Sequence, residues 1–147
     1  KKQSQEYLTG WQTERASFAN YKAEEEKKRF ERINQMKINF VADLFPVLDS
    51  FDMAFANRSA WESVDPAWRT GVEYIHTQFM NILMQYNIEK IDQINVAFNP
   101  LVHEPSETIS TDDASLSDMV AVVVQSGYKS GQTVLRPAKV KVYQYEN

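Results

Sequence analysis

The sequence predicts an α+β protein: a long paired N-terminal helix, helices that form a four-helix bundle in a homodimer, and a small C-terminal β domain. Three observations carry this. Residues 1–41 contain no Pro and a single Gly, and they alternate charges of both signs. Residues 42–87 repeat apolar side chains three and four apart, the helical period. Residues 88–147 replace that period with two-residue alternation and turn residues. The expected parts are a coiled-coil-like helix over 1–41, a helical dimerisation region over 42–87 and a β domain over 88–147.

In the first part, apolar residues are sparse but large: Leu8, Trp11, Phe18, Tyr21, Phe30 and Ile33. Glu24 and Lys28, and Glu25 and Arg29, stand four apart in the favourable order. A helix of about 40 residues is roughly 60 Å long. One with so thin an apolar seam cannot bury enough surface alone and needs a partner helix.

The second part opens with Phe40, Leu44, Val47, Phe51 and Phe55 on one helix face. Pro46 lies inside that run. It lacks a backbone donor and crowds the preceding turn, so a kink is expected there and not a helix end. Asn57 to Ser63 reads as a turn. Asp65 then supplies an N-cap, followed by Pro66 at the first helical position. Trp68, Val72, Ile75, Phe79, Ile82 and Tyr86 follow at alternating spacings of four and three, and Asn87 suits a left-handed stop. Two helices per chain offer little core, and two copies supply four. A homodimer is therefore expected, with those six residues, Leu44 and Phe51 at its interface.

In the third part, Met119 to Val124 (MVAVVV) reads as a buried strand and Lys139 to Tyr145 (KVKVYQY) as a strand with two unlike faces. Gly127 to Gly131 reads as a turn, and Asn95 to Ser117 as a turn-rich polar stretch. Lys129, Arg136, Lys139 and Lys141 fall in a span without an acidic residue, whereas Glu104, Glu107, Asp112, Asp113 and Asp118 crowd the loop before it. A solvated strand face explains such polarity, and so does a docking surface for an acidic protein patch.

Composition narrows the function. The chain has 147 residues, a net charge of −4 and no cysteine. Disulfide frameworks, thiolate zinc sites and thiol nucleophiles are excluded. Phosphate binding calls for a cationic excess that is missing, so no nucleic-acid partner is expected. No apolar run nears the ~20 residues of a membrane helix, so no membrane is expected either. No signal peptide is visible, and the chain opens in helical pattern at Lys1 without Met; removal of a preceding segment is expected. His103-Glu104-Pro105-Ser106-Glu107 lacks the second His of a zinc helix, and Pro105 opposes a helix there. Glycine-rich phosphate loops are absent. No metal, cofactor or catalytic residue is expected, so the chain reads as a non-enzyme.

Several blocks resemble the GrpE family. Phe98-Asn99-Pro100-Leu101-Val102-His103 is similar to the first half of its signature. Gly127-Tyr128 and Leu135-Arg136-Pro137-Ala138-Lys139-Val140-Lys141-Val142 are similar to the second. Leu44 to Asp52 (LFPVLDSFD) resembles the family's LLPVLDSLD block, Ala16 to Lys22 (ASFANYK) its long-helix block, and Gly71-Val72-Glu73 its GVE. Pro105 departs from the usual Ala, and Ala23-Glu24 interrupt a run that is normally basic. The resemblance implies a homodimeric co-chaperone that binds the ATPase domain of a DnaK-type chaperone, opens its cleft and speeds ADP release. It implies partner contacts by Val124, Gly127, Tyr128, Arg136, Pro137 and Lys139 of the β domain, and by Asn20 and Lys22 of the long helix. Bacterial cytoplasm is the expected location, or an organelle matrix. The alternative is a coiled-coil dimeric adaptor or scaffold whose β domain binds another protein.

Overall fold

Helix α1 runs from Lys2 to Asp43 and buries one residue, Val41. In the computed structural model, which describes Lys1–Asn147, it forms one unit, Lys1–Asp43, and Leu44–Asn147 form a second. The aromatic seam of α1 is exposed throughout, and cations lie over two of its rings: Arg15 over Trp11 at 5.3 Å and Lys22 over Phe18 at 5.8 Å. Its acidic and basic residues pair as Lys28 with Glu25, at 3.8 Å and three residues apart, in place of the four-residue pairs expected. Exposed pairs of this kind contribute little, on the order of 0–1 kcal/mol. Nothing within α1 replaces a buried face.

Leu44 is the single residue between the end of α1 and the next helix. Leu44 keeps right-handed helical angles, φ −86 and ψ −12, and its carbonyl accepts from the N–H of Val47 and Leu48. Helix α2 follows over Phe45–Ala56 with Pro46 in its first turn, where a missing donor costs least. The expected kink is thus a one-residue break with no loop. Asn57–Ser63 is not a turn: Arg58–Ser63 form the short helix α3, and the Asn57 side chain caps it by accepting from Ala60 N–H. A capping Asn and a turn Asn look alike in sequence. Helix α4 spans Pro66–Gln85, with Asp65 Oδ1 accepting from the N–H of Ala67 at 2.9 Å and of Trp68 at 3.2 Å. Asn87 has φ 61 and ends the helical run as expected.

Six strands complete the second unit: β1 Ile88–Ile91, β2 His103–Thr111, β3 Val120–Gln125, β4 Gly127–Ser130, β5 Thr133–Arg136 and β6 Ala138–Tyr145. They form two three-stranded sheets, β1-β4-β5 and β2-β6-β3. The first is antiparallel; in the second, β2 runs parallel to β6 and β3 antiparallel to it. Ile91, Val120, Ala138 and Val140 form the core of this half, with Phe98, Val102 and Val123 packed on it.

Three expectations change here. Gly127 to Ser130 is strand, and the turn is confined to the residues around Gly131, which has φ 58. The polar stretch Asn95 to Ser117 contains β2, whose register shifts between Pro105 and Glu107 and whose Ser106 hydroxyl donates to Val140 O. This strand owes its existence to parallel pairing with a segment far along the chain, which leaves no local period to read. Finally, β3 is not buried on both faces. It is an edge strand, and Val122 and Val124 are exposed.

Candidate functional site

Helix α2 and the strands meet through charged and aromatic side chains. Phe45, Leu48, Asp49 and Asp52 share one α2 face by their spacing. Arg136, at the end of β5, donates to both oxygens of Asp49, from Nη2 at 2.6 Å and from Nη1 at 2.8 Å. Its Nε and Nη2 also donate to Ser126 O, at 3.1 and 2.7 Å. The guanidinium lies 4.7 Å over the Phe45 ring, which itself stacks on Tyr128 at 4.9 Å. Beside this group, Lys90 Nζ donates to Asp52 Oδ1 at 2.6 Å and Ser126 Oγ to Asp52 Oδ2 at 3.1 Å. Gln125 Nε2 reaches Asp49 Oδ2 at 3.3 Å.

This arrangement relocates three residues expected to touch a partner. Arg136 has its donors committed within the chain. Tyr128 is fully buried, and its hydroxyl has no hydrogen-bond partner. Burial, aided by the negative charge of Asp52 and opposed by Arg136, raises its pKa well above the ordinary phenol range. Gly127 is buried too. A Cβ there would fall 2.5 Å from Arg136 O and 2.8 Å from Pro137 C, and closer still to Ala138 N. Only glycine permits this approach of strands. Pro137, half-buried, joins the crossing.

What remains outward is the far face of the β2-β6-β3 sheet. In register across it lie Glu104 with Lys139, Glu107 with Lys141, and Val122 with Lys141. Lys141 Nζ is paired to Glu107 at 2.8 Å, Lys129 to Glu89 at 3.5 Å, and Arg136 to Asp49. Lys139, although in register with Glu104, makes no ion pair with it. The register shifts between Val123 and Gln125, so Val124 stands as an extra, 52% exposed residue beside Lys139. Val124 also lines a cleft of about 210 Å³ between β3 and α2, together with Met53, Asp49 and Asp52. Met53 is 74% exposed. Met53 and Val124, exposed at one cleft beside an ammonium without an ion pair, fit a protein surface that offers apolar side chains and a carboxylate.

Sequence reasoning singled out Val124 and Lys139 and missed Met53, Asp49 and Asp52. The signal for the two aspartates was present: acids three apart on an otherwise apolar helix face, with cations on strands to receive them.

Of the residues expected in a dimer interface, Trp68, Ile75, Ile82 and Tyr86 are exposed along α4, whereas Val72, Phe79, Leu44 and Phe51 are half-buried. Phe51 packs against Phe55 and His76 within the chain. His76 sits between those rings; burial, then Lys90, lowers its pKa, and Asp52 opposes the shift. Asn20 and Lys22 are exposed on α1.

His103 is a loop organiser. Its Nδ1 accepts from Asn99 N–H at 2.9 Å, its ring stacks on Phe98, and burial lowers its pKa. No group of three His, Asp or Glu residues is placed to hold a metal. No helix is long and apolar enough to cross a membrane.

Comparison with known proteins gives one consistent result. The GrpE family profile matches residues 1–144. "Protein GrpE" of Caldanaerobacter subterraneus subsp. tengcongensis is 30% identical over 141 residues, covering 96% of this chain and 67% of the relative. "Protein GrpE" of Thermotoga neapolitana is 34% identical over 123 residues, covering 84% and 70%. That of Nitratiruptor sp. is 36% identical over 134 residues, covering 86% and 73%. The similarity takes in the long helix, the shorter helices and the strands alike, and the chain belongs to the GrpE family.

Proposed function

We propose that this chain is a nucleotide exchange factor and not an enzyme. As a homodimer, in the bacterial cytoplasm, it binds the ATPase domain of a DnaK-type chaperone, holds the nucleotide cleft open and accelerates ADP release. The observation that carries this reading is the family match across residues 1–144, which spans both the helical part and the outward β face. Residues 42–87 dimerise through the exposed α4 seam, α1 pairs with its copy over 1–41, and residues 88–147 dock the partner. Val124 and Lys139 make the contact, with Met53 beside them and with Asn20 and Lys22 of α1 as a second point. Arg136, Tyr128 and Gly127 act from behind the surface, by holding it in place.

The chemistry is linkage. A protein that binds the open, empty cleft better than the closed, ADP-filled one weakens ADP binding by the same factor. The shift is limited by that difference in affinity. The test is stopped-flow release of a fluorescent ADP analogue from a DnaK-type ATPase domain. Wild type should speed release. Lys139→Glu with Val124→Asp should slow the catalysed rate at least about tenfold, equivalent to ~1.4 kcal/mol, without loss of helicity. An unchanged release rate with wild type, despite binding, would leave only an adaptor and overturn the proposal.

A further inference from the structure

We infer that Asp49 and Asp52 are positioning residues for exchange: by clasping Arg136 and Lys90 they stiffen the joint between α2 and the strands, so that binding energy distinguishes an open partner from a closed one. The inference rests on the exchange-factor reading and adds the residues that make it mechanically effective.

The geometry is that of a two-point clasp. Asp49 holds the end of β5 through a two-pronged guanidinium pair, and Asp52 holds β1 through Lys90. Ser126, between β3 and β4, is tied to both points: its carbonyl accepts from Arg136, and its hydroxyl donates to Asp52. Gln125, the last residue of β3, adds a bond to Asp49. Three separate strand ends are thus fixed to two carboxylates one helical turn apart. The side chains of Arg136 and Asp49 are 20% and 24% exposed, and those of Lys90 and Asp52 are 15% and 29% exposed. Partly buried ion pairs add little net stability, because desolvation offsets attraction, but their directional bonds tolerate few geometries. A clasp of this type therefore contributes orientation more than stability.

Orientation is what exchange requires. If the joint were loose, the β half could follow a lobe of the partner as its cleft closed. Open and closed partners would then be bound almost equally, and equal binding shifts no equilibrium, however tight it is. A stiff joint makes closure break contacts at Val124 and Lys139. The same bonds that hold Arg136 away from the partner thus make its position matter to the partner.

The chain has no cysteine, so two labelling cysteines can be placed at chosen sites, at exposed Ser50 on α2 and at exposed Thr133 on β5. Pulsed dipolar spectroscopy on the free, full chain, diluted with unlabelled chain so that a dimer carries one labelled copy, should give a narrow distance distribution for the otherwise wild-type chain and a broad one for Asp49→Asn with Asp52→Asn. Affinity is then measured for the nucleotide-free and the ADP-bound ATPase domain. The double variant should lose about tenfold in the ratio of the two affinities, chiefly by binding the ADP-bound form relatively better, and Asp49→Glu should keep most of the ratio. Equal weakening toward both forms would indicate a merely structural role and overturn the inference, as would an unchanged distance distribution. If the distribution broadens but wild type shows no preference between the two forms, the exchange reading fails and only the joint stands. Should the double variant not fold, Asp52→Asn alone leaves the Arg136 pair in place and should show the same change at smaller size.

Discussion

Helix α1 and the strand half of the chain dispose of their large side chains in opposite ways. Across Lys2–Asp43, Trp11, Phe18 and Phe30 are 56%, 60% and 73% exposed, and one valine is buried. Across β1–β6, Tyr128, Val120, Ala138 and Val140 are completely buried, and the charged residues near them are paired. Helix α4 resembles α1 along one stripe and the strands along the other: Leu83 is buried, while Trp68, Ile75 and Ile82 are not. The lesson is that the strand half closes its own core, and the helices do not. A helix buries one stripe, and the stripe that its own chain leaves uncovered is where the proposed pairing with a second copy would act.

The sharpest way to break this comparison is Ile82→Asp. The side chain is 53% exposed within one protomer, so an aspartate there costs little if the chain works alone. In a paired seam it would bury an unpaired charge. Sedimentation should show dimerisation weakened by at least about 100-fold in affinity, ~2.7 kcal/mol, with helix content falling as the pair separates. A variant that stays dimeric would remove α4 from the interface.

Gly127→Ala tests the other side. Its new methyl would press on the backbone at Arg136–Ala138, which has no rotamer to change. Overpacking of this sort costs typically 1–3 kcal/mol, and here the upper end is expected. The loss should appear as a lower Tm for the near-ultraviolet signal of the Tyr128 cluster, roughly 4–8 °C per kcal/mol in a small domain. Dimerisation through α4 should survive. A fall in both together would mean that the two halves unfold as one cooperative body.

The smallest expected effect is a pH dependence. His103 and His76 both have folded-state pKa values below the ordinary 6.5, in each case first through burial. The unfolded chain therefore takes up protons first as pH falls, and stability that is full above about 6.5 declines on acidification through that value. Protonation would also cost His103 the acceptor that receives Asn99 N–H. A melting series from pH 7.5 to 5.5 should show Tm falling by a few degrees, and His103→Gln should flatten part of that slope. A Tm that rises toward pH 5.5 would contradict the assignment.

Much of the fold was legible because its causes are local. The Asp65-Pro66 cap, the Asn87 stop, the period of α4 and the alternation of β6 each lie within a few residues, where sterics and hydrogen bonding act directly. The chemistry ruled out by the lack of cysteine and of phosphate loops was equally plain. The limits of α3 and of β2 were not. One depends on whether an Asn caps or turns, and the other on a parallel partner more than thirty residues away.

The candidate site divides along the same line. That Val124 and Lys139 lie on strands followed from the apolar run and the alternation around them, but that Val124 is exposed on an edge strand was decided by tertiary structure. That Lys139 keeps a free charge while Lys129, Lys141 and Arg136 do not was decided only by tertiary structure, because each acid that neutralises one of them comes from another element. Arg136 shows this most clearly. Its sequence neighbours mark it as a cation on a strand, but its direction is set by Asp49, 87 residues away. Residue type and period determine which elements form. Which way a charged side chain turns depends on the nearest opposite charge in space, and no local pattern records that distance.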